Sequence, residues 1–268
     1  MDASLKLKYE QLQALFIDLE EAVIAYSGGV DSTLLLKVAK DVLGHEVIAI
    51  IGKSDTMPER EFEDALLTAR MMGIEPVVIQ TKETESPDYC NNPVERCYHC
   101  KKHIFGTFTE FMQSHKLLHL VDGSNSDDLK DYRPGNKALE QFDVLSPLRD
   151  LGFTKKDIRE LSKALGLSTW NKEAMACLAT RIAHNDPITL QKLRMIELAE
   201  AFLRSHGFTQ VRARIQQNSL RIEVNPNEVA RFYEDSIRQQ VIQKMKELGF
   251  LEVSIDMEGY RMGSMNKK

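Results

Sequence analysis

The chain has 268 residues, of which 43% are hydrophobic and 28% are charged, and its formal net charge is −5. This composition is typical of a globular protein with one large domain, or with one medium and one small domain. A net negative charge gives no overall attraction for nucleic acid, and the sequence shows neither a bilayer-spanning apolar run nor a signal-peptide pattern. We therefore expect a cytoplasmic protein that binds neither membranes nor nucleic acid.

Strand and helix patterns alternate over the first two-thirds of the chain. An amphipathic helix pattern comes first, and the sequence then predicts strands at 22–26, 47–51, 76–80 and 118–122, with helices at 32–43, 58–72, 100–115 and 154–165. This alternation predicts an α/β fold, with a parallel sheet covered by helices on both faces. Ligands bind such sheets at the carboxyl ends of the strands.

The remainder of the chain predicts a second, small α+β domain. Its pattern is helix at 190–206, strands at 210–215 and 220–224, helix at 227–248 and strand at 251–257. Residues 170–186 lack clear periodicity, so we expect one domain at 1–186 and another at 187–268. Edge strands of the small domain could pair between subunits, which favours a homo-oligomer.

A short polar segment follows the first predicted strand and reads SGGVDS at positions 27–32. Two glycines allow a tight turn and a close ligand, and the helix that follows offers unpaired N–H groups at the positive end of its dipole. These features indicate an anion site, with phosphate as the usual anion. A plain strand–turn–helix link is the alternative, and the Walker A pattern is absent.

This segment resembles the pyrophosphatase loop of the ATP-pyrophosphatase superfamily, whose members split ATP into AMP and pyrophosphate on a parallel α/β domain. The resemblance implies that Gly28 and Gly29 let the backbone cradle the β- and γ-phosphates, with Ser27 and Ser32 as hydroxyl donors. It also implies that Asp31 lies beside the accompanying Mg²⁺ ion. The loop points to activation of a substrate by adenylation and leaves the substrate open.

The four cysteines are too few for a disulfide scaffold in a chain of this length, so metal binding or catalysis is the better interpretation. Cys97 and Cys100 have C-x-x-C spacing, and Cys177 lies far along the chain. Three thiolates can bind three irons of a [4Fe-4S] cluster and leave one iron open.

Other interpretations of these thiols remain open: a zinc site completed by His99 or His103, a redox dithiol, a sulfur-carrying thiol without a cluster, or unrelated buried thiols. Cys90 lies in a polar segment and is expected to have no part in the chemistry.

Five segments together resemble the LarE family, the ATP-dependent sulfur transferases of nickel-pincer nucleotide synthesis. They read SGGVDS, NPVERCYHCKK, DGSNSDDLKDYRPG, EAMACLATRI and GYRMGSMN. The resemblance implies that ATP adenylates a carboxylate of a pyridinium dicarboxylate mononucleotide with release of pyrophosphate. Sulfur then displaces AMP to give a thiocarboxylate, a later ligand to nickel in the cofactor of lactate racemase and related enzymes. Other proteins of nickel-pincer cofactor synthesis are then the expected partners.

The LarE family has two forms, and the cysteines of this chain match one of them. In one form a single cysteine gives up its own sulfur; in the other, three cysteines carry a cluster that delivers a replaceable sulfide. Cys97, Cys100 and Cys177 match the cluster form, which implies catalytic turnover and a sulfur donor that reloads the cluster. The chain departs from the family pattern at Glu173, at Thr180 and in the AHN that follows Ile182, and these departures bear on the shape of the substrate pocket and not on the chemistry.

The substrate of this family carries a phosphate and two carboxylates, and the resemblance implies that Arg181, Arg212, Arg214 and Glu200 bind it. Arg212 and Arg214 stand two apart on a predicted strand and so face one side. Arginine suits bidentate oxyanion binding. Surface salt bridges are the alternative interpretation for each of these residues.

Polar residues also follow the strand predicted at 118–122, in the order Asp122, Asn125, Asp127 and Asp128. They could cap a local turn. Beside the phosphate loop they could instead hold the nucleotide or Mg²⁺, and we favour Asn125 and Asp128 for this role. We expect Arg133 to steady the same loop or a phosphate.

Three rival functions fit parts of the sequence. A tRNA thiolase of the same superfamily would share the loop and the cysteines, but it usually carries Lys at the position of Val30 and needs a basic RNA surface. Amide-forming chemistry, as in ammonia-dependent NAD synthetase, has no use for three cysteines. An ATP-binding module without catalysis would not convert ATP to AMP.

Overall fold

A computed structural model describes residues 1–130, 135–173 and 176–261 of the chain. The chain divides into two compact units, one formed by Met1–Glu83 with Glu95–Met175 and the other by Thr84–Val94 with Ala176–Lys268. The described helices and strands, in chain order, are α1 Ala3–Leu19, β1 Ala22–Ala25, α2 Val30–Leu43, β2 Val47–Lys53, α3 Glu59–Met71, β3 Val77–Gln80, α4 Pro87–Cys90, α5 Arg96–His115, β4 Leu120–Val121, α6 Asn136–Gln141, α7 Pro147–Asp150, α8 Lys155–Ala164, α9 Leu190–Ser205, β5 Arg212–Gln216, β6 Ser219–Glu223, α10 Asp235–Glu247 and β7 Glu252–Ile255.

The first unit is built on a parallel sheet with the strand order β3-β2-β1-β4. Because successive side chains of a strand point to opposite faces, the sheet has two apolar faces. Ile24 of β1 and Ala49 of β2 pack in the core with residues of α1, α2, α3 and α8. Val23 and Ile50 pack in a separate core with residues of α5. The expected parallel α/β sheet with helices on both faces is therefore confirmed.

Helix α8 begins where the sequence predicts, at a capping box. The Thr154 side chain accepts a hydrogen bond from the backbone N–H of Asp157, and the Asp157 carboxylate accepts one from the backbone N–H of Thr154. Lys8 of α1 pairs with the same carboxylate at 2.8 Å. Because the capping box fixes the first turn, Lys155 is the first helical residue.

The second unit contains a mixed three-stranded sheet in the order β5-β6-β7, where β5 and β6 are antiparallel and β6 and β7 are parallel. This confirms the expected small α+β architecture. The single helix predicted at 227–248 is wrong, because a 3₁₀ helix, Pro226–Tyr233, precedes α10. Glu234 between them has extended backbone angles, and the buried Val229 and Phe232 have the three-residue spacing of a 3₁₀ helix.

The two units divide the chain differently from the expected domains 1–186 and 187–268. Backbone pairing explains why residues 176–186 group with the C-terminal unit. Ile182 forms a parallel bridge with Ile215, and the Ala183 N–H donates to the Ile215 carbonyl at 3.1 Å. The buried Asn92 amide donates to the carbonyls of Ala183 and Asp186, which ties 84–94 to the same unit.

Helix α5 begins at Arg96, four residues before the predicted start, so Cys97 and Cys100 both lie in its first turns. The short helices α4, α6 and α7 were not predicted. Within the described ranges, no helix has the length and apolar character needed to cross a bilayer.

Candidate active site

The segment SGGVDS connects β1 to α2 at the carboxyl edge of the parallel sheet. Gly28 adopts a positive φ of 71°, and Gly29, with an extended backbone, is the N-cap of α2. The hydroxyl oxygens of Ser27 and Ser32 lie 3.1 Å apart, and the Ser32 hydroxyl accepts from the Ser27 N–H at 3.2 Å. The loop therefore presents two hydroxyls and the N-terminus of a helix at one place, as an anion site requires.

Two glycines allow other backbone segments to approach this loop. A Cβ atom at Gly28 would lie 2.5 Å from the Cβ of Ala65 in α3. A Cβ atom at Gly123, just after β4, would lie 3.0 Å from the backbone nitrogen of Ser32. The loop is thus enclosed by α3 on one side and by the segment after β4 on the other, with no room for a side chain at Gly28 and only a tight fit at Gly123.

Asp31 lies in the first turn of α2 and is held by two polar side chains. The Lys155 ammonium lies 2.7 Å from its Oδ1 and 2.5 Å from its Oδ2, and the Asn125 amide donates to Oδ1 at 3.3 Å. Asn125 is held in turn by Asp128, whose carboxylate accepts from the Asn125 backbone N–H at 3.1 Å. The expected pair Asn125 and Asp128 therefore lies in contact with the phosphate loop through Asn125.

The other acids after β4 have local structural partners. Asp122 is buried and accepts hydrogen bonds from the hydroxyls of Ser124 and Ser146, each at 2.6 Å. Asp127 accepts from the backbone N–H of Lys155 at 2.8 Å. These contacts fix the carboxyl edge of the sheet and the start of α8. Arg133, expected to steady this region, lies outside the described residues, as does part of the motif DYRPG.

Two lysines that the sequence did not single out contact the phosphate loop. Lys155 binds Asp31, and Lys172 lies 3.4 Å from the Gly28 carbonyl oxygen and 2.8 Å from Glu61. Sequence patterns gave no signal for either lysine, because each lies more than 120 positions from its partner in the loop.

The cysteines of the C-x-x-C pair lie in the first turns of α5, with Cys97 exposed and Cys100 partly buried. Residues three apart on a helix share one face, so both thiols are on the same side of α5. Cys177 precedes a 3₁₀ turn, Leu178–Arg181, in the second unit. Cys90 donates to the Thr84 carbonyl at 3.0 Å. Among the described residues, no group of three or more His, Cys, Asp or Glu side chains is arranged to hold a metal ion.

Arg181 and Glu200 form a buried ion pair in the second unit. The Arg181 Nε lies 2.8 Å from Glu200 Oε1, and their side chains are 3% and 1% exposed. Glu200 also binds Arg204 at 2.7 Å and the backbone N–H of Ala213 on β5 at 3.1 Å. Burial alone would raise the pKa of Glu200, but the charges of Arg181 and Arg204 and these hydrogen bonds hold it below its usual value.

Arg181 also joins the cysteine segment to this cluster, since its guanidinium donates to the carbonyl oxygens of Ala176 at 2.8 Å and Cys177 at 3.1 Å. Arg214 on β5 binds the fully buried Glu223 at 3.1 Å and the Thr180 carbonyl at 2.9 Å. The backbone around Cys177 is thus fixed by two guanidinium groups.

Arg212 differs from its neighbours because the described structure pairs it with no carboxylate. Its guanidinium donates to the Val211 carbonyl at 2.8 Å and lies 4.9 Å from the ring centre of Tyr260. Burial, followed by the positive charge of Arg181, lowers the pKa of the Arg212 guanidinium. A partly buried guanidinium among other arginines is suited to bind an anion from outside the chain.

Comparison with known proteins identifies the family. Residues 9–90 match the model of the NAD synthase family. An uncharacterised protein of Synechocystis is 41% identical over 263 residues, which cover 98% of each chain. The pyridinium-3,5-bisthiocarboxylic acid mononucleotide synthase of Lactiplantibacillus plantarum is 34% identical over 268 residues, covering 98% of this chain and 95% of the relative. The chain belongs to the LarE family. It is accordingly an ATP-dependent sulfur transferase with a phosphate loop of the ATP-pyrophosphatase type.

The LarE family motifs fall in both units of the structure. The phosphate loop and the C-x-x-C pair belong to the first unit, whereas Cys177, Arg181, Glu200, Arg212 and Arg214 belong to the second. The arginines and the glutamate that are expected to bind substrate all belong to the second unit, so their contacts are described within that unit. Residues 174–175 of the motif EAMACLATRI and residues 262–266 of the motif GYRMGSMN lie outside the described residues.

Replacement of Gly28 by Ala is expected to distort the phosphate loop. The new Cβ would overlap Ala65 and would force a positive φ on an L residue. Gly44→Ala is the matched control, because Gly44 also has a positive φ, 63°, but its Cβ would meet nothing within 4 Å. Thermal unfolding should therefore show a larger decrease in melting temperature for Gly28→Ala than for Gly44→Ala. Calorimetry should show a loss of nucleotide binding for Gly28→Ala alone. Equal behaviour of the two variants would contradict the steric account.

Replacement of Glu200 by Gln should destabilise the protein by about 3 kcal/mol at neutral pH, because it leaves buried guanidinium charge without its partner. Since the folded-state pKa of Glu200 is lowered, its stabilising effect is fully present above the unfolded pKa of about 4.3 and is lost as the pH falls through the folded pKa. Urea unfolding from pH 7 down to pH 3 should show the difference between wild type and variant shrinking below about pH 4. The exposed Glu63→Gln is the control, and a pH-independent difference would contradict this account.

Proposed function

We propose that the chain adenylates a carboxylate of a pyridinium dicarboxylate mononucleotide with ATP and replaces AMP by sulfur to give a thiocarboxylate. The observation that carries this proposal is Arg212, which lies beside Arg181 and Arg214 and forms no ion pair with a carboxylate among the described residues. The chain also has a phosphate loop and 34% identity to a pyridinium-3,5-bisthiocarboxylic acid mononucleotide synthase. A substrate with one phosphate and two carboxylates supplies the negative charge that this arginine cluster lacks.

The first unit supplies the activation chemistry. ATP would place its β- and γ-phosphates on the hydroxyls of Ser27 and Ser32 and on the N-terminus of α2. A substrate carboxylate oxygen attacks the α-phosphorus, the bond to the β-phosphate bridge breaks, and pyrophosphate leaves with the electron pair. Because the loop is closed by backbone at Gly28 and Gly123, it holds the leaving group in a fixed position.

The donor set at the loop fits Mg²⁺, which prefers hard oxygen ligands. The Asp31 carboxylate supplies such oxygen atoms, while Asn125 donates to it from its amide nitrogen at 3.3 Å and accepts the Asp127 backbone N–H on its own Oδ1. Asp31 would hold the ion, which would screen the phosphate charge during adenylation.

The second unit supplies substrate binding. Glu200 and Glu223 fix the guanidinium groups of Arg181 and Arg214 by buried ion pairs, and Arg212 remains to bind an oxyanion of the substrate. Fixed guanidinium groups lose little freedom when substrate binds, which favours affinity and orientation. Glu200 then acts on the substrate through the arginines that it positions.

The cysteines are the residues through which sulfur would enter the proposed reaction. Cys97 and Cys100 lie on one face of α5, where at least the exposed Cys97 is accessible. With Cys177 they would hold a [4Fe-4S] cluster through three irons, and the fourth would supply the replaceable sulfide. This reaction requires a donor of sulfide and the other proteins of nickel-pincer synthesis as partners. A homo-oligomer, expected from the edge strands of the small domain, stays a prediction.

Replacement of Arg212 by Met should raise the KM for the pyridinium substrate by about tenfold or more, because a charge-assisted hydrogen bond to the substrate is lost. The assay is exchange of labelled pyrophosphate into ATP in the presence of the pyridinium dicarboxylate nucleotide, which reports adenylation alone. Arg194→Met, at an exposed arginine of α9, is the matched control. Absence of exchange in the wild type would refute the proposed function, and equal KM values for the two variants would refute the role of Arg212.

Anaerobic purification should yield about four irons per chain with matching acid-labile sulfide, and Cys177→Ser should lose them. Cys90→Ser is the control, because that thiol has a local backbone partner and no expected role. If reconstitution gives no iron, the cluster form is refuted. A mass loss of about 34 Da at Cys177 after reaction, the mass of hydrogen sulfide removed from a cysteine thiol, would identify the sacrificial form instead.

A further inference from the structure

Lys155 occupies a position where local electrostatics disfavour a cation. It is the first residue of α8, at the positive end of the helix dipole, where acidic residues are the usual choice. Lys156 follows it and is exposed. A lysine at this position needs a compensating partner, and Asp31 provides one from the phosphate loop.

The contact between Lys155 and Asp31 uses both oxygens of the carboxylate. The ammonium lies 2.7 Å from Oδ1 and 2.5 Å from Oδ2, while the side chain of Lys155 is 38% exposed. The Lys155 backbone is fixed separately, since its N–H donates to Asp127 at 2.8 Å. The base of the side chain is therefore anchored and its flexible end can move toward a ligand.

We propose that Lys155 holds Asp31 in the nucleotide-free protein and transfers to the β- and γ-phosphates when Mg²⁺ arrives with ATP. This inference rests on the proposed function, because it assumes a nucleotide in the loop. A metal ion at Asp31 and the ammonium on the same two oxygens would repel each other, so one must leave. The phosphates supply the anion that the displaced ammonium needs.

Two consequences follow for ligand binding. A divalent ion without nucleotide must displace Lys155 with no compensation, so it binds weakly and ATP brings the metal with it. Lys155 also stabilises the negative charge that collects on departing pyrophosphate, and it returns to Asp31 once pyrophosphate has gone. AMP, which lacks the β- and γ-phosphates, has no contact with Lys155 in this account.

Binding measurements on the full chain test the proposal. In calorimetry, Lys155→Met should lower the affinity for MgATP and for magnesium pyrophosphate by about tenfold to a hundredfold, the effect of losing a charge-assisted hydrogen bond. The affinity for AMP should not change. The same variant should bind Mn²⁺ alone more tightly than the wild type, measured by electron paramagnetic resonance, because Asp31 has lost its competing cation. Lys156→Met is the matched control and should match the wild type in every measurement.

If Lys155 had a purely structural role, Lys155→Met would lose as much affinity for AMP as for MgATP, or its affinity for Mn²⁺ would equal that of the wild type. Either result would overturn the proposal. Lys155→Arg keeps the charge and should keep both weak Mn²⁺ binding and strong MgATP binding, which preserves the test if the Met variant does not fold. If the wild type fails to bind MgATP, the proposed function fails too. If it binds MgATP and Lys155→Met binds it equally well, only the role of Lys155 is refuted.

Discussion

The close approach of backbone to backbone at the phosphate loop is the constraint on which the first unit depends. A Cβ atom at Gly28 would overlap Ala65 of α3, and a Cβ atom at Gly123 would lie in tight contact with the backbone nitrogen of Ser32. Because the turn is this tight, the hydroxyls of Ser27 and Ser32 come together at the N-terminus of α2, and Asp31 points toward Asn125 and Lys155. A parallel sheet with helices on both faces holds these segments at one edge, where phosphate chemistry needs fixed donors.

The second unit differs from the phosphate loop, because the polar groups of its arginine cluster are charged and most of them are buried in ion pairs. Glu200 holds Arg181 and Arg204, and Glu223 holds Arg214 and Arg221. Arg212 lies over Tyr260 with no carboxylate partner among the described residues. Buried pairs of this kind add little to stability compared with apolar packing, but they fix geometry. The cluster therefore keeps an excess of positive charge. Arg181 also holds the Cys177 carbonyl oxygen, and Arg214 holds that of Thr180.

Local sequence signals predicted the features that local physics controls. The glycine turn before α2 and the capping box at Thr154 are encoded within six residues, and both occur in the structure. The role of Lys155 on Asp31 could not be predicted, because that contact joins residues 124 positions apart. The helix expected at 227–248 failed for a different reason. Its apolar spacing fits both a 3₁₀ helix and an α-helix, and the extended Glu234 separates the 3₁₀ helix, whose Phe232 stacks on Phe208, from α10.

The central claim is that the phosphate loop and the arginine cluster serve one sulfur transfer to a pyridinium carboxylate. Mass spectrometry of the nucleotide product tests it most directly, after incubation of the anaerobic protein with MgATP, the pyridinium dicarboxylate mononucleotide and sulfide. The account predicts a product heavier by the difference between one sulfur and one oxygen atom, formed with one AMP for each thiocarboxylate. AMP formation without any sulfur-containing product, or an unchanged pyridinium nucleotide, would contradict it.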